Sequence, residues 1–184
     1  MRKVIFGINM TLDGCVDHTK GTADEDVHDY FTDLIRHAGV LVYGRITYQL
    51  MVPFWPDMAR DHSAPTRSLN DFAVAFDSVD KVVFSRSLDK VDDRNTTIVR
   101  GDLKKEIVQM KQESGKNIMI GGVDLPAQLI ELGLVDEYHF VVQPIIAGKG
   151  RRMDNINLQQ NISLTLAESK ALPSGCIALR YLSK

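Results

Sequence analysis

The chain has 184 residues, of which 44% are apolar and 25% are charged, a balance typical of a soluble globular domain. Its net charge of -2 gives no general attraction to nucleic acid or to an anionic membrane. The apolar run Val4 to Ile8 is too short for a signal peptide, and no run approaches the roughly 20 apolar residues that span a bilayer. We therefore expect a cytoplasmic protein with one domain over residues 1–184.

The two cysteines, Cys15 and Cys176, are far apart in the sequence and belong to no metal-ligand spacing such as CxxC. We expect both to be unpaired thiols in a reducing compartment. We expect no metal site.

Short apolar segments alternate with amphipathic ones in the first half of the chain. Apolar residues recur at helical spacing from Val27 to Ala38 and predict a helix that ends at Gly39. The other predicted elements of this half are the strand Lys3–Met10, a polar loop over 11–24, the buried strand Val40–Tyr43, a helix over Ile46–Met51, an irregular connection punctuated by Pro53, Pro56 and Pro65, a helix near Thr66–Phe76 and the strand Lys81–Phe84.

The second half continues the alternation and then changes character. Its predicted elements are a strand near Thr97–Val99, a helix from about Asp102 to Glu113, the strand Asn117–Ile120, a helix over Leu125–Leu132, the strand Glu137–Gln143 and a Gly- and Arg-rich loop over 147–152. Alternating apolar residues after Leu164 and Ile177 predict two antiparallel strands joined by a turn. Together these elements predict an α/β fold with a mostly parallel central sheet, flanking helices and antiparallel C-terminal strands.

Three predicted strand ends carry residues suited to phosphate groups. Ligands of open α/β sheets bind beyond the carboxyl ends of the strands, where glycine permits close approach and arginine or hydroxyl groups supply hydrogen bonds. The three sets are Gly44, Arg45 and Thr47; Ser85 and Arg86; and Gly121 and Gly122. Each set alone could also be an ordinary polar turn, but three in one small domain favour a nucleotide site.

These segments, in their order, resemble the dihydrofolate-reductase-like superfamily, and most of all a stand-alone C-terminal reductase domain of riboflavin biosynthesis. The matching segments are I-N-M-T-L-D-G at 8–14, V-Y-G-R-I-T-Y-Q-L-M at 42–51, K-V-V-F-S-R-S-L at 81–88, I-M-I-G-G at 118–122, V-D-E-Y-H-F-V-V-Q-P-I-I-A-G-K-G at 135–150 and G-C-I-A-L-R-Y at 175–181. The zinc-deaminase signatures that accompany bifunctional members of this pathway are missing.

The resemblance implies NADPH as the cofactor. Arg45 and Thr47 would contact its phosphates, and Ser85 and Arg86 its 2′-phosphate. Gly44, Gly121 and Gly122 would let the phosphates approach the backbone, and Ile8 and Asn9 would flank the nicotinamide through their backbone. The resemblance also implies a loop around Asp13 that closes over the cofactor, although Asp13 could also be an acidic turn residue with no chemical role.

Counting back from Gly44 by the spacing of folate reductases places His28 where those enzymes carry a carboxylate. His28 could protonate a substrate, or it could be a surface histidine that borders the core. Asp29 is expected in solvent, opposite the apolar stripe. The basic loop at 148–152 and Trp55 each keep two interpretations. The loop could hold a ribose phosphate or be a solvated turn. Trp55 could form the roof of a pocket or simply pack against its neighbours.

The function implied by the resemblance is direct hydride transfer from NADPH to a pteridine-, pyrimidine- or ribosyl-aminouracil-type small molecule, as in a 5-amino-6-(5-phosphoribosylamino)uracil reductase. The cofactor would carry the chemistry while the protein orients the reacting rings. The alternatives are a true dihydrofolate reductase and a non-catalytic NADPH-binding domain. The resemblance also implies a homodimer, with the antiparallel C-terminal strands packing across a two-fold axis.

Overall fold

The computed structural model describes residues 1–22 and 24–184. The strands are β1 Val4–Thr11, β2 Ala38–Gly44, β3 Asp80–Phe84, β4 Thr96–Val99, β5 Asn117–Ile120, β6 Glu137–Gln143, β7 Leu164–Ala171 and β8 Ile177–Ser183. The helices are α1 Glu25–Arg36, α2 Arg45–Met51, α3 Phe54–Asp61, α4 Arg67–Ser78, α5 Leu103–Gln112 and α6 Asp124–Glu131. Within the described ranges, no helix has the length and apolar character needed to cross a membrane.

The eight strands form one sheet in the order β4-β3-β2-β5-β1-β6-β8-β7. Every pairing from β4 to β6 is parallel, and the two pairings of β8, with β6 and with β7, are antiparallel. The predicted fold class is therefore confirmed.

Apolar side chains cover both faces of the parallel part of the sheet. On one face, α1 and α4 pack through residues such as Phe31 and Phe76. On the other face, α5 and α6 pack through residues such as Ile107 and Leu129. Because successive side chains of a strand point to opposite faces, strands β2, β5 and β6 each contribute buried residues to both clusters.

Two local predictions were wrong. The connection predicted as irregular contains helix α3, because Pro53 caps it and Pro56 lies in its first turn, where a backbone N–H would have no helical partner. Gly39 does not end a helix, because α1 is capped by His37 and Gly39 lies in β2. A Cβ atom at Gly39 would lie 3.2 Å from the Lys116 side chain, so the glycine permits close packing beside an irregularity in the β2–β5 register.

A buried polar network ties α1 to the antiparallel part of the sheet. The His139 ring lies 2.9 Å from the Glu137 carboxylate through Nε2 and 2.7 Å from the Tyr30 hydroxyl through Nδ1. Arg180 donates to the same carboxylate at 2.6 Å. Burial lowers the pKa of His139, so the ring is neutral, donates to Glu137 and accepts from Tyr30. Burial also raises the pKa of Tyr30 to about 12.

This network predicts a loss of stability in weak acid. Below about pH 6.5 the unfolded chain protonates its histidine while the folded chain keeps His139 neutral, so the free energy of unfolding should fall as the pH falls. Urea unfolding of the wild type from about pH 7.5 to about pH 5.5 should show this fall, and His139→Gln should reduce its slope. His18→Gln, at an exposed position, should keep the wild-type slope. Equal slopes for all three proteins would contradict the assignment.

Candidate nucleotide-binding site

Residues from two of the three predicted phosphate sets line one cleft of about 690 Å³ at the carboxyl ends of the parallel strands. Its walls include Gly44, Arg45 and Thr47 from the junction of β2 and α2, and Ser85 and Arg86 from the end of β3. These residues meet because β2 and β3 are neighbouring parallel strands, whose register runs to the pair Gly44–Phe84.

The third set, Gly121 and Gly122, lies against the same wall from the end of β5. Gly122 has a φ of +88°, and a Cβ atom there would overlap the Thr47 hydroxyl. A Cβ atom on Gly121 would lie 2.8 Å from the Tyr43 ring. Glycine at both positions therefore lets the β5–α6 turn pack directly on the β2–α2 turn.

The turn that follows β3 is held in place by hydrogen bonds. The Ser85 hydroxyl oxygen accepts from the backbone N–H of Ser87 at 3.2 Å and of Leu88 at 2.9 Å. The Arg100 guanidinium donates to the Leu88 carbonyl at 2.6 Å. Arg86 is exposed within this turn, so its guanidinium is available to an anion in the cleft.

More positively charged side chains line the cleft than the sequence pattern indicated. Arg100 and Lys104 also line it, next to Arg45 and Arg86, and all four side chains are exposed. Of the acidic residues in the lining, Asp102 accepts from the N–H of Lys105 as the cap of α5, and Asp124 pairs with Arg151. Arg100 and Lys104 follow the short strand β4, a fourth strand end, where Gly101 also lines the cleft.

The end of β1 lies two strands away from β2, next to β5. The β1–β5 register reaches the pair Phe6–Ile120, so Ile8 and Asn9 lie just beyond the last pair, beside the Gly121–Gly122 turn. The two side chains point to opposite faces: Ile8 packs against the cluster under α5 and α6, and Asn9 bonds to Gln143 on the α1 side.

Asp13 connects the loop after β1 to the loop after β6. Its carboxylate accepts from the Thr11 hydroxyl at 2.5 Å, from the N–H groups of Ala147 and Gly148 at 3.0 and 2.8 Å, and from Arg152 at 2.8 Å. These hydrogen bonds, that from Thr11 above all, hold the pKa of the Asp13 carboxyl well below its usual range.

Part of the positive charge of the basic loop at 148–152 is neutralised by ion pairs. Arg151 pairs with Asp124, and Arg152 pairs with Asp13. Lys149 and Arg151 are both exposed. These ion pairs are compatible with a solvated turn, and a role of the loop in holding a ribose phosphate stays a prediction.

His28 lies among aromatic side chains. Its ring packs edge-on against Trp55 and Phe72, with centroid distances of 5.8 and 5.4 Å, and its Nδ1 lies 2.8 Å from the Asp24 carbonyl. Trp55 in turn packs on Phe72 at 4.5 Å, as part of the core around α4. A role for His28 in proton transfer stays a prediction.

No carboxylate of helix α1 is buried within the described residues, as a folate-type proton donor would require. Asp29 is exposed as predicted, and it accepts a hydrogen bond from the Ser68 hydroxyl at 2.6 Å.

The contact between Gly122 and Thr47 predicts an unequal response to two glycine substitutions. Gly122 and Gly133 both have positive φ, so alanine should strain either backbone by roughly 1–2 kcal/mol. Only Gly122→Ala also collides with Thr47, since nothing lies within 4 Å of a Cβ atom on Gly133. In urea unfolding, Gly122→Ala should therefore cost about 1–3 kcal/mol more than Gly133→Ala. Equal costs would contradict the packing described here.

Sequence comparisons agree with this architecture. The family model described as RibD C-terminal domain matches residues 2–178. The protein YyaP of Bacillus subtilis (strain 168), described as uncharacterized, is 27% identical over 184 residues, covering 98% of this chain and 94% of YyaP.

Solved structures share the fold. A protein of Shewanella sp. PV-4, provisionally assigned to riboflavin biosynthesis, is 20% identical with a TM-score of 0.72 over 99% of both chains. A diaminohydroxyphosphoribosylaminopyrimidine deaminase/5-amino-6-(5-phosphoribosylamino)uracil reductase of Thermotoga maritima is 11% identical with a TM-score of 0.68, covering all of this chain and 57% of that one. Since the family model spans nearly the whole sequence, the chain belongs to the RibD C-terminal domain family.

Proposed function

We propose that this protein is an NADPH-dependent reductase that acts on a pteridine-, pyrimidine- or ribosyl-aminouracil-type small molecule. The observation that carries the proposal is the single cleft lined by Gly44, Arg45, Thr47, Ser85 and Arg86, with positive charge at its rim. Family membership supports a reductase-like role, and the name of the Thermotoga maritima relative supports an aminouracil as the substrate class.

The residues of the cleft suit the anionic parts of NADPH. Arg86 and Ser85 would hold the 2′-phosphate, since a guanidinium and a hydroxyl match its oxygens in charge and hydrogen bonding. Arg45 and Thr47 would contact the remaining phosphates, and the Gly121–Gly122 turn would let the pyrophosphate approach the backbone. The backbone of Ile8 and Asn9 would flank the nicotinamide.

NADPH, when bound, supplies the hydride that reduces an electron-poor C=N or C=O carbon. The protein holds the two rings together and excludes water from between them. The proton that completes the reduction comes from water or from His28.

We also propose that the chain forms an isologous homodimer through β7 and β8. Strand β7 is an edge strand of the sheet and is exposed over nearly its whole length. Leu166 and Ile177, on this pair of strands, have exposed fractions of 52% and 46%. Apolar side chains so placed are typical of an interface.

Nucleotide titration tests the cofactor assignment. The wild type should bind NADPH more tightly than NADH, and Arg86→Ala should reduce this preference by about 10- to 100-fold, because a charge-assisted contact to the 2′-phosphate is lost. Arg45→Ala should weaken the binding of both nucleotides. Arg67→Ala, on the exposed face of α4, is the control and should leave both affinities unchanged. If the wild type binds neither nucleotide, the reductase assignment fails.

A further inference from the structure

We propose that the side-chain amide of Asn9 donates a hydrogen bond to a carbonyl or ring-nitrogen acceptor of the heterocyclic substrate, and that Gln143 is the positioning residue that sets the orientation of this amide. The inference rests on the proposed function and deepens it by assigning a polar contact to the substrate.

Gln143 is a buried amide at the end of β6. Its exposed fraction is 1%, and it lies beside β1 in register with Thr11. Its Oε1 accepts the backbone N–H of Thr22 at 2.8 Å, and its Nε2 donates to the Asn9 Oδ1 at 3.2 Å. A Cβ atom on Gly21 would lie 2.7 Å from the same Oε1, so the loop after β1 packs closely on this amide.

The hydrogen bonds from Thr22 through Gln143 to Asn9 form a relay, and its first member determines the order of donors and acceptors. A backbone N–H can only donate, so Thr22 must meet the oxygen of the Gln143 amide. The nitrogen of that amide then faces Asn9 and donates to its oxygen. The amide nitrogen of Asn9 is therefore directed away from Gln143, with its two N–H groups as the end of the relay.

The Asn9 Nδ2 is open to a ligand. Its side chain makes one hydrogen bond within the described residues, the one that its oxygen accepts from Gln143. Asn9 is only half-buried, so a ligand can approach its side chain from solvent. Asn9 lies near the carboxyl end of β1, where its backbone is proposed to flank the nicotinamide. A donor at this point selects a substrate with an acceptor atom close to the carbon that is reduced.

Side-chain amide exchange in the free protein tests the orientation directly. In proton–nitrogen NMR spectra, the amide protons of Gln143 should exchange slowly with water, because they are buried and bonded to Asn9. Those of Asn9 should exchange rapidly. The reverse pattern, with Asn9 protected and Gln143 unprotected, would overturn the proposal.

The variant Gln143→Glu tests the role toward the substrate through its pH profile. When ionised, the introduced carboxyl group can only accept, so Asn9 must rotate, donate to it and present its own oxygen to the substrate. When protonated, the group donates as the glutamine does and the wild-type orientation returns. A purely structural role would not produce this switch.

The probe is 5-amino-6-(5-phosphoribosylamino)uracil, with saturating NADPH. At pH values where the introduced carboxyl group is ionised, the KM of Gln143→Glu for this probe should rise by about 10- to 100-fold with a smaller change in kcat. The ratio of this KM to the wild-type KM should shrink as the pH falls. Gln112→Glu makes the same substitution at an exposed site at the end of α5 and should leave KM unchanged. A ratio of KM values that stays the same at every pH would overturn the proposal.

A second variant covers the case in which Gln143→Glu does not fold. Asn9→Asp keeps the acceptor for Gln143 but presents a carboxylate oxygen to the substrate, so KM should rise by a similar factor. An unchanged KM would overturn the proposal. If the wild type does not reduce the aminouracil, the ribosyl-aminouracil class of the proposed function fails, and amide exchange still decides the orientation of the relay.

Discussion

The parallel pairing of neighbouring strands is the constraint on which the rest of the molecule depends. Strands β4, β3, β2, β5, β1 and β6 all run in one direction, so their carboxyl ends meet at one edge of the sheet. Segments that are distant in the sequence, such as Thr47 and Gly122, come into contact there. The helices cover both faces and leave this edge as the place where loops gather and a ligand can enter.

Much of this arrangement could be predicted from the sequence, because buried parallel strands appear as short apolar runs. Strands β5 and β6 have the predicted bounds, and the other strands differ by one or a few residues. The sequence does not predict helix α3, because prolines usually end a helix, although a proline is tolerated in the first turn of one. The sequence predicts a helix end at Gly39, because glycine often follows a helix and its tight packing beside Lys116 is a tertiary contact that no local pattern reveals.

The candidate site was partly predictable for the same reason. Glycine, arginine and hydroxyl residues after an apolar run are local signals, and the structure brings the sets at β2, β3 and β5 together. Gln143 gave no such signal, because its importance lies in partners on β1 and in the loop after it. Lys81 is similar: its buried ammonium group lies 3.2 Å from the Asp93 carboxylate and 2.7 Å from the Asn95 oxygen, contacts that no local pattern reveals. Buried polar groups are paired by the tertiary fold, so their roles emerge only in three dimensions.

Asp13 gives the two loops at this edge a shared anchor. It belongs to the turn after β1, yet it holds the backbone of Ala147 and Gly148 and the guanidinium of Arg152. A further backbone bond, from Val16 to the Arg151 carbonyl, joins the same two segments. Neither loop can swing outward without breaking bonds to the other, so the two must move as one body. The passage of any ligand beneath them is then governed by a single opening rate rather than by two independent ones.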